Sequence, residues 1–198
     1  MYLGVELLKG LSLGAHVFAM LPAIDVPGFS LDQFQRHAQQ TAQLARRFVN
    51  EPVRIDEAFT AAMVHDIGQI VLGLGMPAEF TAVRREAEVT GRPVQDVELM
   101  RLGVTHATVG AYLLGLWGLP FTIVEAVAYH HSPSLVTGGP REVLAALHVS
   151  EAIADAGEQG PGVEPAIDRR FIDDAGLGAR LDQWLTLIRR DADAKISA

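Results

Sequence analysis

The sequence predicts an all-α fold, a compact bundle of several helices, and three observations lead there. Apolar residues recur every three or four positions through most of the chain, the spacing that gives a helix one buried face. No run alternates apolar and polar residues for long enough to make a strand. The prolines and several of the glycines fall between the periodic stretches, where they stop and start helices.

The elements follow in order. Leu3, Leu7, Leu11, Ala15 and Phe18 make a helical stripe over 1–21. Glu6 and Lys9 interrupt that stretch and no basic residue precedes it, so it reads neither as a signal peptide nor as a membrane span. This first helix starts without a capping residue, and we expect the chain to enter mid-architecture, with a preceding part absent. Ser30–Leu31–Asp32 opens a helix that runs to about Asn50 and stops before Pro52. A single helix is expected from Arg54 to Leu74, closed by Gly73, Gly75 and Pro77. Further helices are expected over 78–90, Val94 to Leu102, Val104 to Trp117, Phe121 to His131 and Arg141 to Ala156. Residues 157–166, rich in Gly and Pro, read as a surface loop, and a last helix is expected from Gly178 to Asp191. Leu113, Leu114, Trp117 and Phe121 are expected in the core.

Composition narrows the function. The 198 residues suit one domain, 49% of them hydrophobic, with a net charge of −8. Holding nucleic acid by its phosphates takes a field of Lys and Arg that so acidic a chain lacks. With no cysteine, disulfides, thiolate zinc sites and Cys nucleophiles are excluded. No membrane association is expected, and a cytoplasmic setting is the reading that remains.

The histidines carry the chemical signal. His65 and Asp66 stand side by side in the apolar stretch AAMVHDIGQI. Burying both is costly unless something pairs with them, and a divalent ion would satisfy a ring nitrogen and a carboxylate together. His37 lies on the preceding helix, His106 opens a later one, His130–His131 close the next, and His148 and Glu151 share a face of the one after. One metal-capable element per helix is how a bundle builds an internal metal site. Such N/O donors accept Fe, Mn, Zn, Ni or Mg. His16 has no partner in this pattern, His148 reads as structural, and Asp155 reads as a solvated helix end. Arg84, Arg85 and Arg92 read as a solvated face, with anion binding as the alternative that spacing alone does not place.

The series His37, His65–Asp66, His106, His130–His131 resembles the HD superfamily of metal-dependent phosphohydrolases, and more closely the HDOD domain of bacterial signalling proteins. The stretch ELMRLGVTHATVGAYLLGLWGLPFTIVEAVAYHHSP carries the similarity through Glu98, Gly103, His106, Gly110, Ala111, Leu113, Leu114, Trp117, Leu119, Pro120 and His130–His131. The opening MYLGVELLKGLSLG is similar to the segment where such domains pass into their HD-like half. The resemblance implies an HD-type bundle over 1–157 whose N-terminal half is missing, with 158–198 a loop and a C-terminal helix packed on the same domain. It also implies a signalling partner protein and an upstream receiver domain.

The ligand roles are likewise what the resemblance implies. His37, His65, Asp66 and Glu151, standing where the family has a late Asp, would hold one metal. His106, His130 and His131 would hold a second, with Asp66 bridging; consecutive His residues can converge there because Pro133 ends the helix. The cofactor is thus one or two divalent ions. Such a pair activates a bridging water against a phosphate ester, and Asp66 would be the catalytic carboxylate if the domain is an enzyme. Two departures count against that. Gln69 stands where the catalytic HD-GYP relatives have Lys, and SPSLVTGG replaces their Gly–Tyr–Pro. The expectation is therefore a regulatory output module with a metal site and, as ligand, a phosphate-containing small molecule; the alternative is a phosphohydrolase acting on a nucleotide or phosphate ester.

Overall fold

The computed structural model describes residues 29–160 and 162–196; the stripe expected over 1–21, with His16, lies outside them. Among the described residues the fold is entirely helical. Ser30 caps α1 (Leu31–Phe48), its hydroxyl accepting the Gln33 N–H at 3.3 Å. Pro52 ends the connection and begins α2 (Pro52–Val64) at its first turn, where a missing N–H costs nothing.

The single helix expected to Leu74 is broken. Asp66, at φ −95° and ψ 7°, leaves helical geometry, and α3 (Ile67–Gly75) restarts after it. The Gln69 N–H reaches the Asp66 carbonyl across three residues rather than four. The His–Asp pair thus sits at a bend. The segment Pro52–Gly75 is long and apolar enough to meet the length test for a membrane crossing, but two-thirds of its apolar window is buried in the bundle.

Helices α4 (Pro77–Thr90) and α5 (Val94–Leu102) form a hairpin closed by Gly91. Gly103, at φ 72°, turns the chain sharply into α6 (His106–Leu116), whose N-cap Thr105 accepts the Thr108 N–H. Then come α7 (Phe121–Tyr129), a single 3-10 turn at Pro133–Leu135, and α8 (Glu142–Gln159). Leu114 is buried as expected, but Phe121 is 74% exposed, placed on the first turn of α7 directly after Pro120.

Helix α8 forms the axis of the bundle. Every residue from Val143 to Ala152 is buried, and α1, α2 and α7 pack around it. On the other side α3 lies on α6. The loop expected from 157 starts later, since α8 continues to Gln159. A short helix α9 (Arg169–Asp174), unmarked by any long periodicity, precedes α10 (Gly178–Ile196). Trp184 of α10 stacks on Phe48 of α1, ring centroids 4.4 Å apart.

Candidate metal centre

The bend at Asp66 aims two ligand types at one point. The His65 Nδ1–H donates to the Ala62 carbonyl at 2.8 Å, which leaves Nε2 unprotonated and facing inward. Nε2 lies 3.5 Å from Asp66 Oδ2. The end of α7 repeats the device: His130 Nδ1–H donates to the Val127 carbonyl at 2.7 Å, and Nε2 faces the same space. The helix stops at Tyr129, so the His130 and His131 rings lie together, centroids 3.9 Å apart.

His106 enters from the first turn of α6. Glu98, fully buried on α5, accepts both the His106 main-chain N–H at 2.8 Å and its Nδ1–H at 2.6 Å. One carboxylate therefore caps the helix and sets the ring. The His106 Nε2 lies 3.2 Å from Asp66 Oδ1 and 2.9 Å from His131 Nε2.

His37 approaches from α1, its ring 5.4 Å from that of His65. The rings of His65 and His130 are 5.3 Å apart, and those of His106 and His130 5.7 Å. The structure thus draws His37, His65, Asp66, His106, His130 and His131 into one continuous cluster. It falls into two groups that share Asp66, one with His37 and His65, the other with His106, His130 and His131.

Glu151 sits differently from the expectation. Its Oε1 is 3.4 Å from His131 Nδ1 and 3.7 Å from His130 Nε2. The acids against His37 are Asp155, at 3.9 Å, and Glu158, at 2.9 Å. They stand one and two helical turns further along α8, which runs beside α1. Asp155, expected as a solvated helix end, is half exposed but belongs to this wall.

Burial and mutual charge set the protonation. Burial pulls His65 and His130 down, and His130 well down, so both rings are neutral. It also lowers His131, to about 3. His106 goes the other way. Burial alone would lower it, but the hydrogen bonds to Asp66 and Glu98 outweigh this and hold it at about 10. Burial would raise Asp66, yet the neighbouring His65 and His106 keep it well below the usual carboxylate range. Burial pushes Glu151 well up and Asp155 to about 6.

The donor set fits a divalent metal. His65 Nε2 and His130 Nε2 are buried and make no hydrogen bond, a costly state for polar atoms unless something pairs with them. Above the cluster opens a cavity of about 720 Å³, lined among others by His37, Asp66, His106, His131 and Arg92.

Two residues of the site are not marked by spacing. Glu98 lies eight positions from His106 across the Gly103 turn. Arg84, expected on a solvated face, is half buried and donates to Gln69 Oε1 at 3.2 Å; Arg85 is exposed. His148 fits its structural reading: Nδ1–H donates to the His130 carbonyl and Nε2 accepts the Asp168 N–H, both at 2.8 Å.

Comparison with known proteins places this architecture. The chain superposes on a candidate phosphohydrolase from Shewanella amazonensis with a TM-score of 0.68 at 22% identity, covering 93% of this chain and 69% of that one. A candidate signal transduction protein from Marinobacter aquaeolei gives 0.67 at 28% identity, over 93% of this chain and 42% of that one. An HDOD domain protein of unknown function from Geobacter sulfurreducens gives 0.63 at 18% identity, over 84% and 63%. The first and third likenesses concern the fold alone, and the chain spans less than half of the Marinobacter protein. No curated protein matches the chain in sequence. The HDOD domain model matches residues 1–133, two-thirds of the sequence, and the chain belongs to the HDOD domain family.

Proposed function

We propose that this chain is a regulatory output module of a signalling protein, built around a divalent-metal site. The observation that carries the metal is the convergence of ring nitrogens from separate helices on one buried carboxylate, with His65 Nε2 and His130 Nε2 buried and without a hydrogen bond. His37, His65 and Asp66 would hold one ion, and Asp66, His106, His130 and His131 a second, with Glu151 beside the latter pair. A bound ion would neutralise the buried carboxylates and polarise a phosphate oxygen or a water. The chain's residues hold the ligand atoms in place: Ala62 and Val127 by accepting from His65 and His130, Glu98 by accepting from His106. The output role draws on the family and on the likeness to the Marinobacter signal transduction protein. In this reading the module sits in the cytoplasm, receives its signal from an upstream receiver domain, passes it to a partner protein through its helical surface and takes a phosphate-containing small molecule as ligand. Its net charge of −8 speaks against nucleic acid.

A second reading, a phosphohydrolase with Asp66 as the catalytic carboxylate, is favoured by the cavity of about 720 Å³ over the cluster. That is room for a small-molecule substrate. Metal analysis of the purified protein, with a screen of phosphate esters and cyclic dinucleotides, tests both. The module reading expects bound metal in wild type, loss of it in Asp66→Ala, and no turnover. Turnover by wild type that Asp66→Ala abolishes would establish the enzyme instead. Wild type without metal would remove both.

A further inference from the structure

Among the described residues, His148 is the buried histidine outside the ligand set, and its ring stands between two main chains. Nδ1–H donates to the His130 carbonyl and Nε2 accepts the Asp168 N–H, both at 2.8 Å. A donor on one nitrogen and an acceptor on the other require the neutral ring with its proton on Nδ1. Beyond the ring the contacts close into a circuit. Asp168 caps α9 by accepting the Phe171 N–H through Oδ1 at 3.0 Å, and its Oδ2 accepts the Ser134 hydroxyl. Ser134 lies in the 3-10 turn just past His130–His131. The end of α7 is thus tied to the start of α9 at two points. Arg141 holds the other end of α9 by donating to the Asp174 carbonyl, and Phe171 and Ile172 seat its inner face in the core. The connection from α8 to α9 also walls the main cavity, through Val163, Glu164 and Ala166.

We propose that His148 is a positioning residue that couples the C-terminal segment to the metal centre: docked α9 holds its ring, and the ring holds the main chain of the ligand pair His130–His131. The proposal rests on the metal reading above and adds how that site would be regulated. Val127 sets the rotation of the His130 ring, but the ring's place relative to Asp66 and His106 follows from where the backbone leaves α7. His148 stands on α8, the buried axis of the bundle, and its Nδ1–H fixes that backbone. The Asp168 N–H in turn fixes the ring that carries the donor. Drawing α9 away frees the ring to turn and loosens two ligands without touching either. The coupling runs both ways, since a displacement of α9 that weakens metal must itself be resisted by bound metal to the same degree.

Amide hydrogen exchange on the full chain, stripped with a chelator and then titrated with Zn²⁺, tests this. In wild type Zn²⁺ should slow exchange at Asp168, Phe171 and Ile172 by about fivefold or more, although the metal ligands belong to other helices. His148→Asn puts an amide donor near the place of Nδ1 and leaves the Asp168 N–H without its acceptor. In that variant Zn²⁺ affinity should fall by the same factor, and the slowing at α9 should vanish. His148→Gln reaches towards Asp168 instead and releases the His130 carbonyl, so it should uncouple the two as well. If neither variant folds, Ser134→Ala opens the circuit from its exposed side and should also weaken Zn²⁺; unchanged affinity there would overturn the coupling. Wild type that binds Zn²⁺ with α9 exchange unchanged, or slowed equally in His148→Asn, overturns the coupling and leaves the metal reading standing. Wild type that binds no Zn²⁺ overturns the metal reading, and the coupling falls with it.

Discussion

The α-carbon of Gly68 packs directly on the main chain of His106. A methyl group built there would stand 1.9 Å from the His106 carbonyl oxygen and 2.8 Å from the Gly110 nitrogen. Gly110 answers from α6, where an added Cβ would meet the Gly68 nitrogen at 3.2 Å. Helices α3 and α6 therefore cross backbone to backbone, and that closeness lets Asp66 reach His106 Nε2 at 3.2 Å.

Gly68→Ala should accordingly damage fold and site together. The clash is with main-chain atoms, so no side chain can rotate away and the helices must part. Over-packing of this kind costs about 1–3 kcal/mol, and parting the helices pulls Asp66 from His106. A thermal melt and a metal analysis check it: both melting temperature and metal content should fall. A variant with the wild-type melt and full metal would show that the crossing tolerates a methyl group.

The clustering of histidines was legible because five of the predicted helices each carried a metal-capable element, so a compact packing of those faces would gather them. Helix ends were legible at Pro52, Gly91 and Gly103, where the residue type itself dictates the backbone. The bend at Asp66 was not. Nothing in AAMVHDIGQI forbids a continuous helix, and the break coincides with the close packing of α3 on α6, a tertiary contact that local pattern does not encode. Glu98 and Arg84 were hidden for a related reason: their partners lie across a turn or on another helix, where periodicity is blind. The position of Glu151 beside His130 and His131, rather than with His37, depends on the register of α8 against α1, which no local pattern encodes.

Glu98 should matter for metal affinity although it faces no ion. Its carboxylate fixes the ring through Nδ1–H and caps α6 through the His106 N–H. Removing such an outer partner costs about 10–100-fold in metal affinity. Glu98→Ala should show that loss, with a lower melting temperature from the uncapped helix and the buried ring left short of an acceptor. Glu98→Gln, which keeps one acceptor oxygen, should fall between. Competition with a chelator of known affinity measures it, and equal affinity for wild type and both variants would remove Glu98 from the site.

The C-terminal helix should belong to the same cooperative unit as the metal centre. Trp184, 4% exposed, stacks on Phe48, and Leu181 and Ile172 are buried in the same cluster. Truncating a buried aromatic of this size costs about 3–5 kcal/mol. Trp184→Ala should therefore lower the single unfolding transition seen by circular dichroism. A transition that splits in two, with the main one unmoved, would make 158–198 a separate appendage.

The last prediction concerns the proton that competes with the metal at His106. In the structure this ring has an acceptor at each nitrogen: Glu98 at Nδ1, and Asp66 with His131 at Nε2. A ring so placed binds both protons, and the value of about 10 expresses that. The folded value lies above the ordinary 6.5, so this group's stabilisation of the metal-free protein is full below pH 6.5 and is lost as pH rises through about 10. A metal ion at Nε2 needs the lone pair that the proton occupies. Loading the metal-free protein at pH 8 should then expel about one proton per ion bound at this nitrogen, read as acidification of a weakly buffered solution. Glu151, pushed up by burial, can add to that release but not replace it, so His106→Gln should diminish it in Glu151→Gln protein. The melting temperature of metal-free protein should fall between pH 7 and 10 through loss of this group's contribution, and the loaded protein should lack that component. Full metal uptake with no proton released at pH 8 would mean that His106 is already neutral and that its contacts with Asp66 and Glu98 do not hold the charge.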